Sequence, residues 1–246
     1  MNGLNYDDSF LGPLRQFLEE KEGLFSVYGL KGSAPAFLIS KLAAHTNRPF
    51  FIIAPEERKA ELISQEITFF LGSRRPILHY PDWDIPPFGK ISPPLEVMGQ
   101  RWQGRHSMIS SPTPFIIVAS LPAILWRVPP RNISRQMFLR IAPAQEISQE
   151  ELLNKLAGMG YSRQSVVTAL GEYSWRGQIV DIYSPLSSSP YRLEFFADTV
   201  ESIRIFDPES QRSLKEEKEA LILPVRETLL FPEFMERALS KFSAEF

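Results

Sequence analysis

The sequence predicts a mixed α/β protein: a parallel sheet packed between helices, carrying a second, α+β unit built on an antiparallel sheet. Three observations point there. Apolar strand-like runs alternate with helical segments from Phe50 to Val128, the rhythm of a parallel sheet covered on both faces. A glycine turn joins the apolar run Leu24–Tyr28 to the helical Phe37–Leu42. From Gly171 to Arg212, runs rich in branched and aromatic residues alternate with turn formers, the mark of antiparallel hairpins. With 246 residues, 43% apolar and 12% aromatic, the chain has enough apolar material for two cores.

Composition also excludes functions. A net charge of −2 gives no broad positive field, so nucleic-acid binding is expected to be weak at most. The absence of cysteine removes disulfide and thiolate chemistry and fits a reducing compartment. The start MNGLNYDDSF is acidic, without the basic and apolar regions of a secretory signal. The longest apolar run, Phe115–Val128, is broken by Ser120, Pro122 and Arg127 and is too short to span a bilayer. A cytoplasmic protein, or a piece of one, with no membrane partner is expected.

Taken in order, Leu11–Glu22 has Leu14, Phe17 and Leu18 at helical spacing and Gly23 as a stop. A strand over Leu24–Tyr28 then leads into Gly29-Leu30-Lys31-Gly32-Ser33-Ala34-Pro35-Ala36 and a helix. Strand, glycine turn, helix is the layout of the phosphate-binding loop G-x-x-x-x-G-K-[ST]. Here Ala34, Pro35 and Ala36 fill its last three positions. That loop needs a Lys on the terminal phosphates, a hydroxyl on magnesium, and backbone N–H groups around the anion. Pro35 supplies neither ammonium nor N–H, and Ala36 has no oxygen for a metal. Lys31 lies on the wrong side of the turn. Pro35 suits the start of a helix instead. The residues fit a vestigial site at Gly29, Gly32, Ser33, Ala34, Pro35 and Ala36 that binds no cofactor, or an ordinary strand-to-helix turn with no nucleotide history.

Further on, Phe50–Ala54, Ile77–Tyr80 and Phe115–Ala119 read as strands, and Glu56–Leu71, Leu95–Ile109 and Leu121–Val128 as helices. The proline-dense loop PDWDIPPFGKISPP, with Trp83 and Phe88, has a length usual for functional loops, although its aromatics could merely pin it down. Pro129-Pro130-Arg131 reads as a boundary. A new unit starts near Met137–Ile141, and Ser148-Gln149-Glu150-Glu151 spells a capping box, Ser148 accepting from an amide and Glu151 reaching back. Leu152, Leu153 and Leu156 face its core, and Gly158 or Gly160 ends the helix. Strands are expected over Gln178–Tyr183, Tyr191–Phe196, Val200–Phe206 and Ala220–Leu223, with Asp207-Pro208-Glu209-Ser210 as a turn and Lys215–Glu219 as a solvated charged turn. From Pro224 the chain reads as a return to the first domain, ending in a helix over Glu233–Phe242. The expected division is 1–130, 131–223 and 224–246.

Within the antiparallel sheet, alternation puts Tyr191, Leu193 and Phe195 on one face and Arg192, Glu194 and Phe196 on the other. Phe196 among charges, with the Arg176-Gly177 turn ahead of the neighbouring strand, has the composition of an interface hot spot: Phe offers buried area, Arg directional charge-assisted hydrogen bonds. The alternative is a ring covered by a helix of its own chain, or placed at a strand end. Active-site chemistry is hard to find. His45, His79 and His106 are scattered, so no metal site is expected. No G-x-S-x-G elbow occurs. Asp181 sits on an apolar strand without the adjacent acid that a magnesium-holding strand would offer, and Asp82 and Asp84 flank Trp83 in a loop. No catalytic residue is assigned.

GEYSWRGQIVDIYSP and YRLEFFADTVESIRIFDPESQRS resemble the signature of the UvrB-homology module at the N-terminus of the bacterial transcription-repair coupling factors (Mfd). HYPDWDIPPFGKISPPLEVMGQR and IIVASLPAILWRVPP resemble that family's first domain. The similarity covers roughly Leu24–Leu223. UvrB itself is similar through the second domain, but has an intact phosphate loop and a tyrosine-rich hairpin not found here. The resemblance implies a degenerate P-loop-helicase-like α/β domain, split by an inserted UvrA-interaction domain, with no ATPase in this region. It implies docking of the nucleotide-excision repair protein UvrA, for recruitment to stalled RNA polymerase, through the residues matching Arg176, Arg192 and Phe196. The family's polymerase-binding and ATP-dependent translocase domains are missing, so the chain looks like an N-terminal fragment. Two rivals stand beside this non-catalytic adaptor: a UvrB-type ATP-dependent DNA-processing enzyme, and an intramolecular role in which a distant domain of the full protein covers the same face.

Overall fold

The computed structural model describes residues 11–19, 23–85, 92–185, 187–228, 231, 232, 234–236, 239 and 240. The chain divides into two compact units: one takes the described residues up to Tyr80 with Ser111–Leu125, the other Pro81–Ser110 with those from Trp126 onward. A mixed α/β architecture with a parallel sheet and antiparallel sheets is what the sequence predicted. No helix among the described residues is long and apolar enough to cross a membrane.

The first unit holds α1 (Gly12–Glu19), α2 (Ala34–Ala44), β1 (Phe50–Ala54), α3 (Glu57–Leu71) and β2 (Ile77–Tyr80). The next helix, α4 (Leu95–Ser110), belongs to the second unit, after which β3 (Ile116–Ser120) and α5 (Leu121–Leu125) return to the first. The sheet is parallel in the order β1-β3-β2. Flanked on both edges, β3 is buried at every position, which is why its sequence is continuously apolar. Helix α3 turns Ala60, Ile63, Ile67 and Leu71 inward, a single apolar stripe at helical spacing. Gly72, at φ 61°, ends it in a conformation that glycine adopts without a Cβ penalty.

Two expectations fail in this unit. The strand over Leu24–Tyr28 does not form: residues 23–31 carry no regular structure, and Leu24 is 93% exposed. An apolar run becomes a strand only where a neighbour completes its ladder, and the sheet pairs only β1, β3 and β2. The helix expected over Leu121–Val128 stops at Leu125. The last residues of the Leu11–Glu22 helix, and Phe88 with the middle of the proline-rich loop, lie outside the described residues.

The second unit continues with α6 (Arg131–Gln136), β4 (Leu139–Ile141), α7 (Gln149–Gly158), β5 (Ser162–Arg163) and β6 (Glu172–Arg176). Next come β7 (Ile179–Ile182), β8 (Tyr191–Phe196), β9 (Thr199–Phe206), β10 (Ser213–Glu216) and β11 (Ala220–Ile222). Six strands form one sheet in the order β10-β9-β8-β7-β6-β5, antiparallel except for β5 beside β6; β11 pairs with β4. One sheet face is dry. Val180, Ile182, Leu193, Phe195, Val200 and Ile203 pack with Leu152 and Leu156 of α7 and Trp102 of α4. Ser148 caps α7 by accepting from Glu151 N at 3.1 Å. Only half of the expected capping box forms, because the Glu151 carboxylate pairs with Lys155 at 2.7 Å.

Strands β5, β6 and β10 were not foreseen, and β4 only as the start of a new unit. The run read as a charged turn, Lys215–Glu219, begins inside β10, an exposed edge strand. With solvent on both sides, an edge strand has no apolar alternation to betray it. Of the helix expected over Glu233–Phe242, residues 234–236, 239 and 240 are helical and the rest lie outside the described residues.

Helix α4 binds this unit together through charges. Arg101 is fully buried; its Nε donates to Glu227 Oε1 at 3.0 Å and its Nη1 to Pro81 O at 2.8 Å. One turn on, Arg105 lies 4.5 Å over the Trp102 ring and donates to Pro129 O and Ser134 Oγ. Trp102 Nε1 donates to Arg226 O at 3.1 Å. Two arginines thus fasten three distant chain segments, and each depends on a carboxylate that is itself buried. Glu227→Ala removes the carboxylate that faces both buried guanidiniums, so urea unfolding of the variant should show a loss of roughly 3–5 kcal/mol.

Candidate functional site

The candidate residues Arg176, Arg192 and Phe196 lie on the outer face of the six-stranded sheet, and two hairpins position them. Arg176 pairs with Ile179 across Gly177-Gln178, where Gly177 takes φ 59°, the positive φ such two-residue turns require. Phe196 pairs with Thr199 across Ala197-Asp198, with Ala197 at φ 52°. Strand direction puts both turns at the same sheet end, and Phe195 N donates to Gln178 O at 2.8 Å, tying one tip to the other.

Register fixes the rows of the outer face. Ser174, Asp181, Arg192 and Arg204 lie opposite one another on β6, β7, β8 and β9; Arg176, Ile179, Glu194 and Ser202 form the next row. Phe196 closes β8 beyond them. Leu193 and Phe195 are buried, while Phe196 is 76% exposed, so no helix among the described residues covers the ring. It stands at a strand end, as one of the sequence alternatives had it.

At the centre is Asp181, fully buried. Its Oδ1 accepts from Arg192 Nε at 2.8 Å and its Oδ2 from Arg192 Nη2 at 2.9 Å, a fork-on-fork pair. Oδ2 also accepts from Arg176 Nη2 at 3.3 Å. Arg192 is further held by Gln211 O at 3.1 Å and lies 4.4 Å over the Phe206 ring. The Asp181 hydrogen bonds raise the Arg192 pKa above its ordinary value, against a smaller effect of burial. The side chain of Arg192 is 14% exposed and that of Arg176 55%. Beside them Glu194 accepts from Ser202 Oγ at 2.8 Å and Arg204 Nη1 at 3.1 Å. The face therefore offers one projecting aromatic ring, one projecting guanidinium and a set of charges already paired.

Sequence reasoning brought out Arg176, Arg192 and Phe196 and passed over two supports. Asp181 was weighed only as a metal ligand; its signal was an acid on the outer side of a strand with an arginine in reach across the next hairpin. Gln211, at φ 61°, turns its carbonyl to Arg192 after the Asp207 turn, where Asp207 Oδ1 accepts from Ser210 N at 2.7 Å. That bond holds the Asp207 carboxyl below its ordinary pKa.

The other candidates stay apart. Gly29 and Gly32 take φ 81° and 57°, Ser33 precedes α2, and Ala34 and Pro35 open it. Ser33 Oγ donates to Glu66 Oε1 at 2.5 Å. Asp82 accepts from Trp126 Nε1 at 2.7 Å, and Trp126 stacks on Trp83 at 4.4 Å between ring centres. His79 meets Glu57 at 2.9 Å, His45 bonds to Lys41 O, and His106 packs edge-on to Phe138. Among the described residues no group of three or more His, Asp or Glu side chains could hold a metal ion.

Comparison with known proteins places this sheet. Residues 139–227 match the UvrB interaction domain. The matched stretch runs from the first residue of β4 to Glu227 and contains the whole outer face. Over most of its length the chain is similar to transcription-repair-coupling factors: 34% identical over 218 residues to that of Myxococcus xanthus, covering 86% of this chain and 18% of the relative. For Bacillus subtilis the figures are 32% over 216 residues, 88% and 18%, and for Escherichia coli 30% over 198 residues, 80% and 17%. The chain thus spans less than a fifth of these relatives. The stretch that carries the outer face is thus similar to the UvrB interaction domain, and most of the chain to proteins named transcription-repair-coupling factors.

A ring that faces water contributes little to folding, whereas its neighbours on the dry side carry the core. Phe196→Ala should leave the unfolding free energy within about 0.5 kcal/mol, and Leu193→Ala should lower it by about 2–5 kcal/mol; urea titrations of the two variants make the comparison.

Proposed function

We propose that this chain is a non-catalytic adaptor that docks the repair protein UvrA and so brings it to stalled RNA polymerase, through Arg176, Arg192 and Phe196. One observation carries the reading: the Phe196 ring projects into solvent at the same sheet end as the Arg176 guanidinium, inside the stretch that matches the UvrB interaction domain. Large exposed aromatics beside arginine are the residues that dominate binding energy at protein interfaces. In this reading Phe196 enters an apolar pocket of UvrA, Arg176 meets an acceptor at its edge, and Arg192 supports both.

The first unit fits a P-loop-helicase-like domain that has lost its ligand. The turn over Gly29, Gly32, Ser33, Ala34, Pro35 and Ala36 joins an irregular segment to α2, without Lys or metal-binding hydroxyl at the positions where phosphate chemistry needs them. The hydroxyl of Ser33 is turned to the Glu66 carboxylate, a negative charge where an incoming phosphate would meet repulsion. In the adaptor reading, 131–223 is the insert that carries the docking face and 1–130 with 224–246 is its host domain, of which Pro81–Ser110 and the described residues from Trp126 onward pack in one compact unit with the insert; no ATP is hydrolysed here, and the protein works in the cytoplasm.

Purified UvrA tests the face directly. The double variant Phe196→Ala/Arg176→Ala should lose at least about 2 kcal/mol of binding free energy, roughly a thirtyfold weaker Kd, with its melting curve intact. Parental affinity in a folded variant would contradict the assignment.

A further inference from the structure

The three residues of the docking face differ in what they have left to give. Phe196 is almost bare, and Arg176 is more than half exposed with a single contact to Asp181. Arg192 has all three nitrogens engaged: Nε and Nη2 on Asp181, Nη1 on Gln211 O, with the guanidinium over Phe206. A side chain bound on every nitrogen and largely covered is a buttress more than a contact. All of this converges on Asp181, the sole member of the outer rows that is both charged and fully buried among Ser174, Asp181, Arg192, Arg204, Glu194 and Arg176.

From this geometry we infer that Asp181 is the positioning residue of the docking face: its carboxylate locks Arg192 into the sheet surface and from that fixed point holds the Arg176 guanidinium over the outer face, at the sheet end where Phe196 also lies. The inference rests on the docking reading above and deepens it.

The physical logic has two parts. A guanidinium on a long, flexible stem loses side-chain entropy on binding; one already restrained by a carboxylate has met part of that cost beforehand, which is how preorganisation raises affinity. Asp181 also absorbs the charge of Arg192, since one carboxylate with a bidentate partner is close to neutral as a pair. What remains to be matched from outside is Arg176. The partner chemistry that fits is a single carboxylate or backbone carbonyl at the rim of an apolar pocket: the pocket for Phe196, the acceptor for the free donors of Arg176. A broad acidic surface is not required, because Glu194 and Glu216 already answer Arg204.

A purely structural Asp181 and a positioning Asp181 differ in one measurable respect, namely whether its loss removes the contribution of Arg176. UvrA affinity is measured for the parent chain, Arg176→Ala, Asp181→Asn and the double variant, with Phe196→Ala as a reference. The inference expects Asp181→Asn and Arg176→Ala each to weaken binding about tenfold, and Arg176→Ala to cost less than about threefold once Asp181 is Asn, the coupling of residues that act together. Should Asp181→Asn fail to fold because Arg192 is left unpaired, Asp181→Asn/Arg192→Gln removes both buried charges together and serves as the background, with the same small Arg176→Ala effect expected. A full tenfold cost of Arg176→Ala in either background, with Phe196→Ala still weakening binding, would overturn the positioning role and leave the docking face standing. If Phe196→Ala and Arg176→Ala both leave the parent's affinity unchanged, the docking face itself falls, and the role of Asp181 with it.

Discussion

A carboxylate sealed from water must find its charge and hydrogen bonds inside the protein, and Asp181 finds them in Arg192 and Arg176. That requirement shapes the outer face of the sheet. The bidentate pair fixes the register neighbours β7 and β8 by their side chains as well as their backbones, draws the Asp207–Gln211 turn in to supply a carbonyl, and settles Arg192 on the Phe206 ring. A buried pair of this kind gains little over apolar packing, but losing one partner is costly. Its value here is definition of position: the one strong internal match leaves Arg176 and Phe196 as the groups with unspent capacity.

The same constraint recurs on the other side of that unit. Helix α4 inserts Arg101 and Arg105 among apolar residues, and Glu227 answers them. Backbone carbonyls of Pro81 and Pro129 take further donors, so residues far apart in the chain are joined at one helix. The dry face of the sheet, with α7 and Trp102 upon it, is thereby closed, and the hairpin tips stand on a base that does not depend on what docks there. In the first unit the turn into α2 carries Pro35 at the helix start, and the Ser33 hydroxyl is turned to the Glu66 carboxylate.

How much of this was legible in the sequence depends on how many residues shared one environment. Strands Phe50–Ala54, Ile77–Tyr80 and Tyr191–Phe196 were legible to the residue from their apolar runs or alternation, although Phe51 and Ile53 of the first are exposed. The outward direction of Arg192, Glu194 and Phe196 followed from period two alone. By contrast β6, with its serine and charged ends, and β10, exposed at every position, have no such pattern; the sign of β6 was the two-residue glycine turn after Arg176. Leu24–Tyr28 shows the converse, an apolar run that lacks a ladder partner. The coupling of Asp181 to Arg192 was invisible as a pattern because its spacing is set by the hairpin loop between β7 and β8, and the role of Glu227 because its partners lie over a hundred residues earlier.

The central claim is that partner contact falls on the tips of the two hairpins. Hydrogen exchange of the backbone amides, with and without purified UvrA, reads that location without altering any side chain. The account predicts slowed exchange at residues 176–179 and 195–199 on adding UvrA, with the turn at 29–36 unchanged. Slowing confined to other segments, with both hairpin tips exchanging as in the free chain, would contradict it.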